Sequence, residues 1–461
     1  MVGGAIRDQL LGRATPDYDL AVAGEAQTLA RNLARATKGY AFPLSDEFGA
    51  WRIKAHDQAW QVDITPLQGE SIEADLVARD LTINAIAYDL RAALRAGSWD
   101  GRGLMPEFLL DPHGGAGDLK AERLRAVSER SFSNDPLRVL RLARFASVLG
   151  FAADPKTSAL ARAAAPQLTK VAPERIFTEL NQILGSTAVL PALRYLSAIG
   201  ALTVVLPELE ALRGVAQSEY HHLDVYDHTL LALELVLQIQ GDIDQFFPGR
   251  GQELNAYLGQ PLANELSRSE ALRWAALLHD IAKPQTRAVS AEGRITFYEH
   301  DTQGAVQAAG ILRRLRASER LCTQVAAMVR HHLRLGFLVH QRPLDGRAIY
   351  QYLHQTTPVT IDVTMLSVAD RYATRGKNSE LAIELHHQLA RELTDAALAY
   401  GADPPRPPLR GDELAAALGI RPGPGLGALI AELTAATYTG EVSDAPGAVA
   451  HARRWLEAHN Q

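Results

Sequence analysis

The chain has one cysteine, Cys322, no apolar run of membrane length and no excess of positive charge. A lone thiol excludes an intramolecular disulfide and a thiolate metal site. A membrane helix needs roughly 18 or more consecutive apolar residues, and none occurs. The first residues, MVGGAIRDQL, lack the basic start and the apolar stretch of a secretion signal. A cytoplasmic location with no membrane partner is expected. The net charge of −6 argues at first sight against a nucleic-acid partner. Distribution outweighs the sum, however. Between Lys120 and Arg175 lie Arg123, Arg125, Arg130, Arg138, Arg141, Arg144, Arg162 and Arg175, which predicts a local basic groove.

At 461 residues the chain exceeds one hydrophobic core, so several domains are expected. No repeat of fixed period stands out. Residues 1 to 118 mix short strand-like runs (YDLAVA, WRIKA, WQVDI) with helical patterns such as EAQTLARNLARATK, which reads as an α/β head with a small mixed sheet. From Leu119 onward apolar residues recur at three- and four-residue spacing, the pattern of a long all-α body. Within it, residues 119–215 form a neck, 216–395 a histidine-bearing helical domain, and 396–461 a stiff linker (PPRPPLR) with a helical tail.

Two groups of residues carry chemistry. In DYDLAV, Asp17 and Asp19 stand at i and i+2 of a strand and so project from one face. Carboxylates held this way suit Mg²⁺, a hard cation that prefers oxygen, and a pair of such ions catalyses phosphoryl transfer. Asp63 in WQVDIT offers a third carboxylate. Just upstream, Gly3 and Gly4 followed by Arg7 form a turn whose N–H groups and guanidinium suit a triphosphate.

GGAIRDQLLGRATPDYDL, then RDLTINAIAYD at 79–89, then NDPLRVLRLARF at 134–145, resemble three successive motifs of bacterial tRNA nucleotidyltransferases, which include CCA-adding enzymes and their poly(A) polymerase relatives. The resemblance covers roughly residues 1 to 210. It implies that Gly3, Gly4 and Arg7 contact the nucleotide phosphates, that Asp17 and Asp19 hold the metals, and that Arg79, Asp80 and Asn84 contact ribose and brace the site. It also implies tRNA, CTP and ATP as substrates. Cytosine and adenine share an exocyclic amine beside an unprotonated ring nitrogen. A carboxylate that accepts from the amine and a guanidinium that donates to the ring suit both bases and reject uracil and guanine. Asp135 and Arg138 have this chemistry, and the resemblance assigns them that role. Asn134 or Asp135 is expected to cap a helix with Pro136 at its first position, and Arg141 and Arg144 follow Arg138 at three-residue steps along one helix face.

The sequence departs from the family pattern in three places. Asn134 replaces a usual glutamate. Fifteen residues separate Asp63 from Arg79, a short connection of the kind found in relatives that add only CC. The family carries a further segment before VGG, so either the true start lies upstream of Met1 or the head tolerates a shortened first strand.

His228, His279-Asp280 and Asp370 form an ordered H…HD…D set, ligands for a divalent metal. His300, His331 and His332 offer a second metal position, although His300 reads more readily as an ordinary core residue, and His221-His222 read equally well as surface. The block resembles HD-domain phosphohydrolases, with Lys283 in their HD-x-x-K turn, and its histidines imply an active domain with a second divalent metal. Three rival readings are a poly(A) polymerase, an HD phosphohydrolase with an inert head, and a non-catalytic RNA-binding protein.

Overall fold

The computed structural model describes residues 1–461 except 46–48, 58, 99–102, 219–220, 264–265, 376–378 and 460–461. It separates into two compact units, Met1–Val205 and Leu206–Gln461.

The first unit opens with α1 (Gly4–Leu10), then β1 (Asp17–Val22), α2 (Ala26–Thr37), β2 (Tyr40–Ser45), β3 (Ala50–Lys54), β4 (Gln61–Pro66) and α3 (Ile72–Val77). The four strands form one mixed sheet in the order β1-β4-β3-β2. Only the β1–β4 pair is parallel, and the hairpins β2–β3 and β3–β4 are antiparallel. The period-2 alternation read from DYDLAV and WQVDI sets the two faces. Leu20, Val22, Ile53, Val62 and Ile64 pack on one side against Ala26, Ala30 and Ala34 of α2. Small side chains at four-residue steps let that helix lie close to the sheet. The polar members of the strands, Asp17 and Asp19 among them, are left on the opposite face. Val2 forms isolated bridges to Asp19 and Ala87, and its N–H donates to the Asp19 carbonyl at 2.9 Å.

Further along, α4 (Arg138–Leu149) and α5 (Pro173–Gly185) pack together through Leu140, Leu142, Phe145, Ile176, Phe177 and Leu180, all buried. The start of α4 differs from expectation. A short helical turn, Ser131–Asn134, ends before Asp135, which is extended, and α4 begins at Arg138 rather than Pro136. Asp135 Oδ1 accepts from the Leu137 N–H at 3.2 Å, so the aspartate does tie down the entry to the helix.

The second unit is helical. Its core helices are α6 (Val225–Gly241), α7 (Arg268–Leu278), α8 (His300–Arg314), α9 (Glu319–His331), α10 (Thr360–Ala373) and α11 (Ser379–Ala402). The helix α10 is buried on nearly every side, from Ile361 through Ala369, as expected of a helix at the centre of a bundle. Around it pack α6, α7, α9 and α11. A Ser267–Glu270 capping box starts α7. After the proline-rich linker, α12 (Gly411–Leu418), α13 (Pro424–Tyr438) and α14 (Ala445–His459) close a small core of Leu414, Leu429, Leu433, Ala436, Ala448 and Ala452. Among the described residues no helix is long and apolar enough to cross a membrane.

Candidate functional site

In the first unit, the parallel register sets Asp19 beside Asp63 and Asp17 beside Gln61. Three carboxylates therefore share one sheet face. Burial, then Asp17 and Asp63, push the Asp19 carboxyl up to about 6, against the opposing pull of Arg79. Asp63 is held differently. Arg52, its cross-strand neighbour, donates to both of its oxygens at 2.7 Å, a bidentate pair.

Arg79 reaches this face because Gly3 has no side chain. A methyl at position 3 would lie 2.7 Å from Arg79 Nη1 and 3.3 Å from Asp19 Oδ2, and the backbone there has φ of 73°. Glycine is required on both counts. Arg79 also pairs with Asp75 at 3.0 Å. Beside it, a cavity of about 230 Å³ is lined by Asp19, Asp75, Arg79 and Arg138, among others.

Behind the cavity runs a relay of charges. Arg7 donates to both oxygens of Asp8 and, at 2.8 Å, to Asn84 Oδ1. Asn84 donates to Asp80 at 3.0 Å, Arg141 donates to Asp80 at 2.8 Å, and Arg144 donates to Glu179 at 2.9 Å. Arg7, Arg141 and Arg144 all lie over the ring of Phe145. Burial alone would push the Asp80 carboxyl up. The Arg141 guanidinium, with hydrogen bonds from Asn84 and the Leu81 N–H, outweighs it and holds the group well below the carboxylate range.

The two base-reading candidates have partners other than each other. Asp135 accepts from Arg175 at 2.8 Å. Arg138 donates to the carbonyls of Ala78, Arg79 and Ser131. Several arginines of the expected basic groove are paired with acids: Arg123 and Arg125 with Asp118, Arg141 with Asp80, Arg144 with Glu179, and Arg175 with Asp135. Those of α4 meet acids distant in sequence and brace the fold.

In the second unit, His279 sits where α7 ends, and Asp280 follows it. His279 Nε2 lies 3.3 Å from Asp280 Oδ2, and the two side chains belong to adjoining groups. His279 joins His228 and Asp370, while Asp280 joins His300 and His332. Within each group the ligand atoms lie within 4.8 Å of one another. His228 Nε2 lies 2.9 Å from Asp370 Oδ1, and Lys283 Nζ lies 2.6 Å from Asp280 Oδ2.

Three of the rings are held the same way. Nδ1 of His279, His300 and His332 donates to the carbonyl three residues earlier (Ala276, Phe297 and Val329) at 2.9, 2.6 and 2.6 Å. That fixes the tautomer and leaves each Nε2 lone pair free. All three Nε2 atoms are buried without a hydrogen-bond partner, an expensive condition that a metal ion relieves. Burial, then the nearby His279 and His300, push His332 down to about 4, so it is neutral near pH 7, the form that binds a metal.

The head matches the model for the poly A polymerase head domain over residues 1–125. Residues 150–212 match a probable RNA and SrmB- binding site of polymerase A, and 225–375 an HD domain. Over 99% of its length the chain is 36% identical to the A-adding tRNA nucleotidyltransferase of Deinococcus radiodurans, covering 95% of that protein. The chain belongs to the tRNA nucleotidyltransferase family. Another member, the CC-adding tRNA nucleotidyltransferase of Thermus thermophilus, is 32% identical over 98% of the chain and 93% of its own length. The solved apo CCA-adding enzyme superposes with a TM-score of 0.60 at 19% identity, covering 99% of this chain and 90% of that one, which shows the shared fold.

Within this nucleotidyltransferase, the sequence offers His300 for a second metal position but favours a core role; the structure sets it with Asp280 and His332. His228, His279, Asp280 and Asp370, read as one ordered set, lie together: His279 Nε2 is 3.3 Å from Asp280 Oδ2 and 3.8 Å from Asp370 Oδ1. His331 points elsewhere and accepts from Arg334 at 3.0 Å. The one available signal was histidine count in a helical block, since the convergence itself is tertiary.

Proposed function

We propose that the head adds C or A residues to the 3′ end of tRNA, the RNA 3′-hydroxyl attacking the nucleotide α-phosphate and releasing pyrophosphate. The observation that carries this reading is that Asp19, one of three carboxylates on a single sheet face, lines the cavity with Arg79 and Arg138. Neighbouring carboxylates on one face fit a divalent cation as counter-charge. Asp17 and Asp19 would hold Mg²⁺, which supplies activation of the hydroxyl and charge neutralisation at the leaving oxygen. Asp63, anchored by Arg52, extends the same negative face. Gly3 and Gly4, with Arg7 and Arg79, receive the triphosphate, while Asp80, Asn84, Arg141 and Arg144 keep those cations in position. Asp135 and Arg138 read the base, Asp135 exchanging Arg175 for the exocyclic amine of cytosine or adenine. A mismatched base would leave these groups unpaired, a large penalty for a buried site. The division into head (1–118), neck (119–215), HD domain (216–395) and tail (396–461) belongs to the same proposal.

A second activity is favoured by the paired histidine groups: metal-dependent phosphohydrolysis in the HD domain. His228, His279 and Asp370 would hold one divalent ion, and Asp280, His300 and His332 another.

The test incubates purified protein with Mg²⁺, tRNA lacking CCA, and CTP, ATP or both, resolving products at single-nucleotide length. Two residues from CTP alone identify CC addition, in line with the short connection after Asp63. One A on tRNA already ending in CC identifies A addition, and three residues identify full CCA addition. A long ladder with ATP alone identifies a poly(A) polymerase, and no extension defeats the proposal.

A further inference from the structure

The head sheet face turned away from α2 is graded from acidic to aromatic. Two rows of side chains cross its four strands. In one, Asp19, Asp63, Arg52 and Phe42 are successive neighbours, and in the next, Asp17, Gln61, Lys54 and Tyr40. The rings of Phe42 and Tyr40 stack on each other, with centroids 5.9 Å apart and planes 18° from parallel. Tyr40 is 42% exposed. Arg52 is committed to Asp63, but no ion pair holds Lys54 among the described residues.

A reaction between two substrates needs a place on each side of the catalytic carboxylates, and the structure has two. Asp19 lines the cavity with Arg79 and Arg138, proposed above for the nucleotide. Asp17 lines another, of about 290 Å³, with Pro16, Lys54, Trp60 and Gln61. This second cavity opens beside the row that ends in Tyr40.

We infer that this face carries the single-stranded 3′ end of the RNA being extended. Its bases stack on Tyr40 and Phe42, a backbone phosphate meets Lys54, and the terminal hydroxyl arrives at Asp17 and Asp19. Adjacent strands are about 4.8 Å apart, so roughly 14 Å separates the aromatic strand from the carboxylate strand, a span for the last few nucleotides. The chemistry suits each end of that path. The carboxylates meet an uncharged hydroxyl, while the free cation sits further back, where phosphates pass. The strand also shifts by one nucleotide with every addition, so whatever holds it a few nucleotides back must accept any base. Stacking on an aromatic ring does so, whereas hydrogen-bond readout does not.

This inference rests on the reading that the head extends RNA, and the test separates the two. In the full-length protein, Tyr40→Ala and Lys54→Gln are each expected to raise KM for tRNA about tenfold. KM for the nucleotide and the melting temperature should stay at wild-type values, and Tyr40→Phe, which keeps the ring, should restore tRNA binding. A tRNA carrying a photoreactive base next to its 3′ end should cross-link to the segment containing Tyr40. A Tyr40→Ala protein with unchanged KM for tRNA, or with a raised KM for the nucleotide alone, overturns the inference. If the wild-type protein extends no RNA, the reading of the head fails by itself. The cross-link then still decides the face: present, it stands as an RNA platform, and absent, it falls.

Discussion

The head and the HD domain gather charged groups around a site in opposite ways. In the head, nearly every carboxylate near the cavity has an arginine: Asp63 has Arg52, Asp75 has Arg79, Asp80 has Arg141, and Glu179 has Arg144. These ion pairs can be in place before any nucleotide arrives, while Asp17 and Asp19 have no ion pair among the described residues. In the HD domain, three imidazole nitrogens are buried facing inward with no hydrogen-bond partner, those of His279 and His300 lying 3.3 and 3.5 Å from Asp280. The head braces its site with arginine–carboxylate pairs, whereas the HD domain sets imidazoles against carboxylates.

The sharpest way to break this comparison is to disable each centre alone. Asp19→Asn should lower nucleotide addition by on the order of a thousandfold while leaving phosphohydrolysis intact. His279→Ala should do the converse, and assaying both reactions on both variants shows whether the centres are independent. Asp80→Ala tests that bracing, because it removes the hydrogen-bonded partner of Arg141 and leaves it only Glu179 at 3.7 Å. The expected loss is about 3 kcal/mol of stability, read by urea unfolding, with a matching fall in addition because Asn84 and Arg7 lose their anchor.

Metal removal should separate the two regions. An ion that binds only the folded state at a hundred times its Kd stabilises by about 2.7 kcal/mol. Mn²⁺ should therefore raise the unfolding transition of the HD domain and a chelator should lower it, and His332→Ala should abolish the difference.

The smallest effect concerns His386, outside both metal groups, whose Nε2 lies 3.1 Å from Ser367 Oγ. Burial pushes this ring down to about 4. Its folded pKa lies below the unfolded value of about 6.5, so its contribution is full above that pH. It is lost as pH falls toward 4, by up to about 1.4 kcal/mol per unit. Stability of the apo protein against pH should show that slope, and His386→Phe should flatten it.

Legibility from sequence followed the range of the interactions involved. The strand carrying Asp17 and Asp19 was readable because alternation within six residues decides which face they take. The H…HD…D order was readable because its residue types are rare together. The partners of the α4 arginines were not readable, since a basic helix face looks solvated until the acids that meet it are placed. Asp80 lies 61 residues from Arg141, and Glu179 lies 35 residues from Arg144. The place of His300 was hidden for the same reason, its partner Asp280 being set by helix packing rather than by spacing.

Position 3 shows how a missing side chain can govern an electric field. The guanidinium of Arg79 and the carboxylate of Asp19 share a space that one methyl would occupy. Exchanging Gly3 for alanine alters no formal charge, yet it displaces a cation from beside an anion and shifts the potential felt by whatever binds there. An uncharged substitution at this residue acts as an electrostatic one.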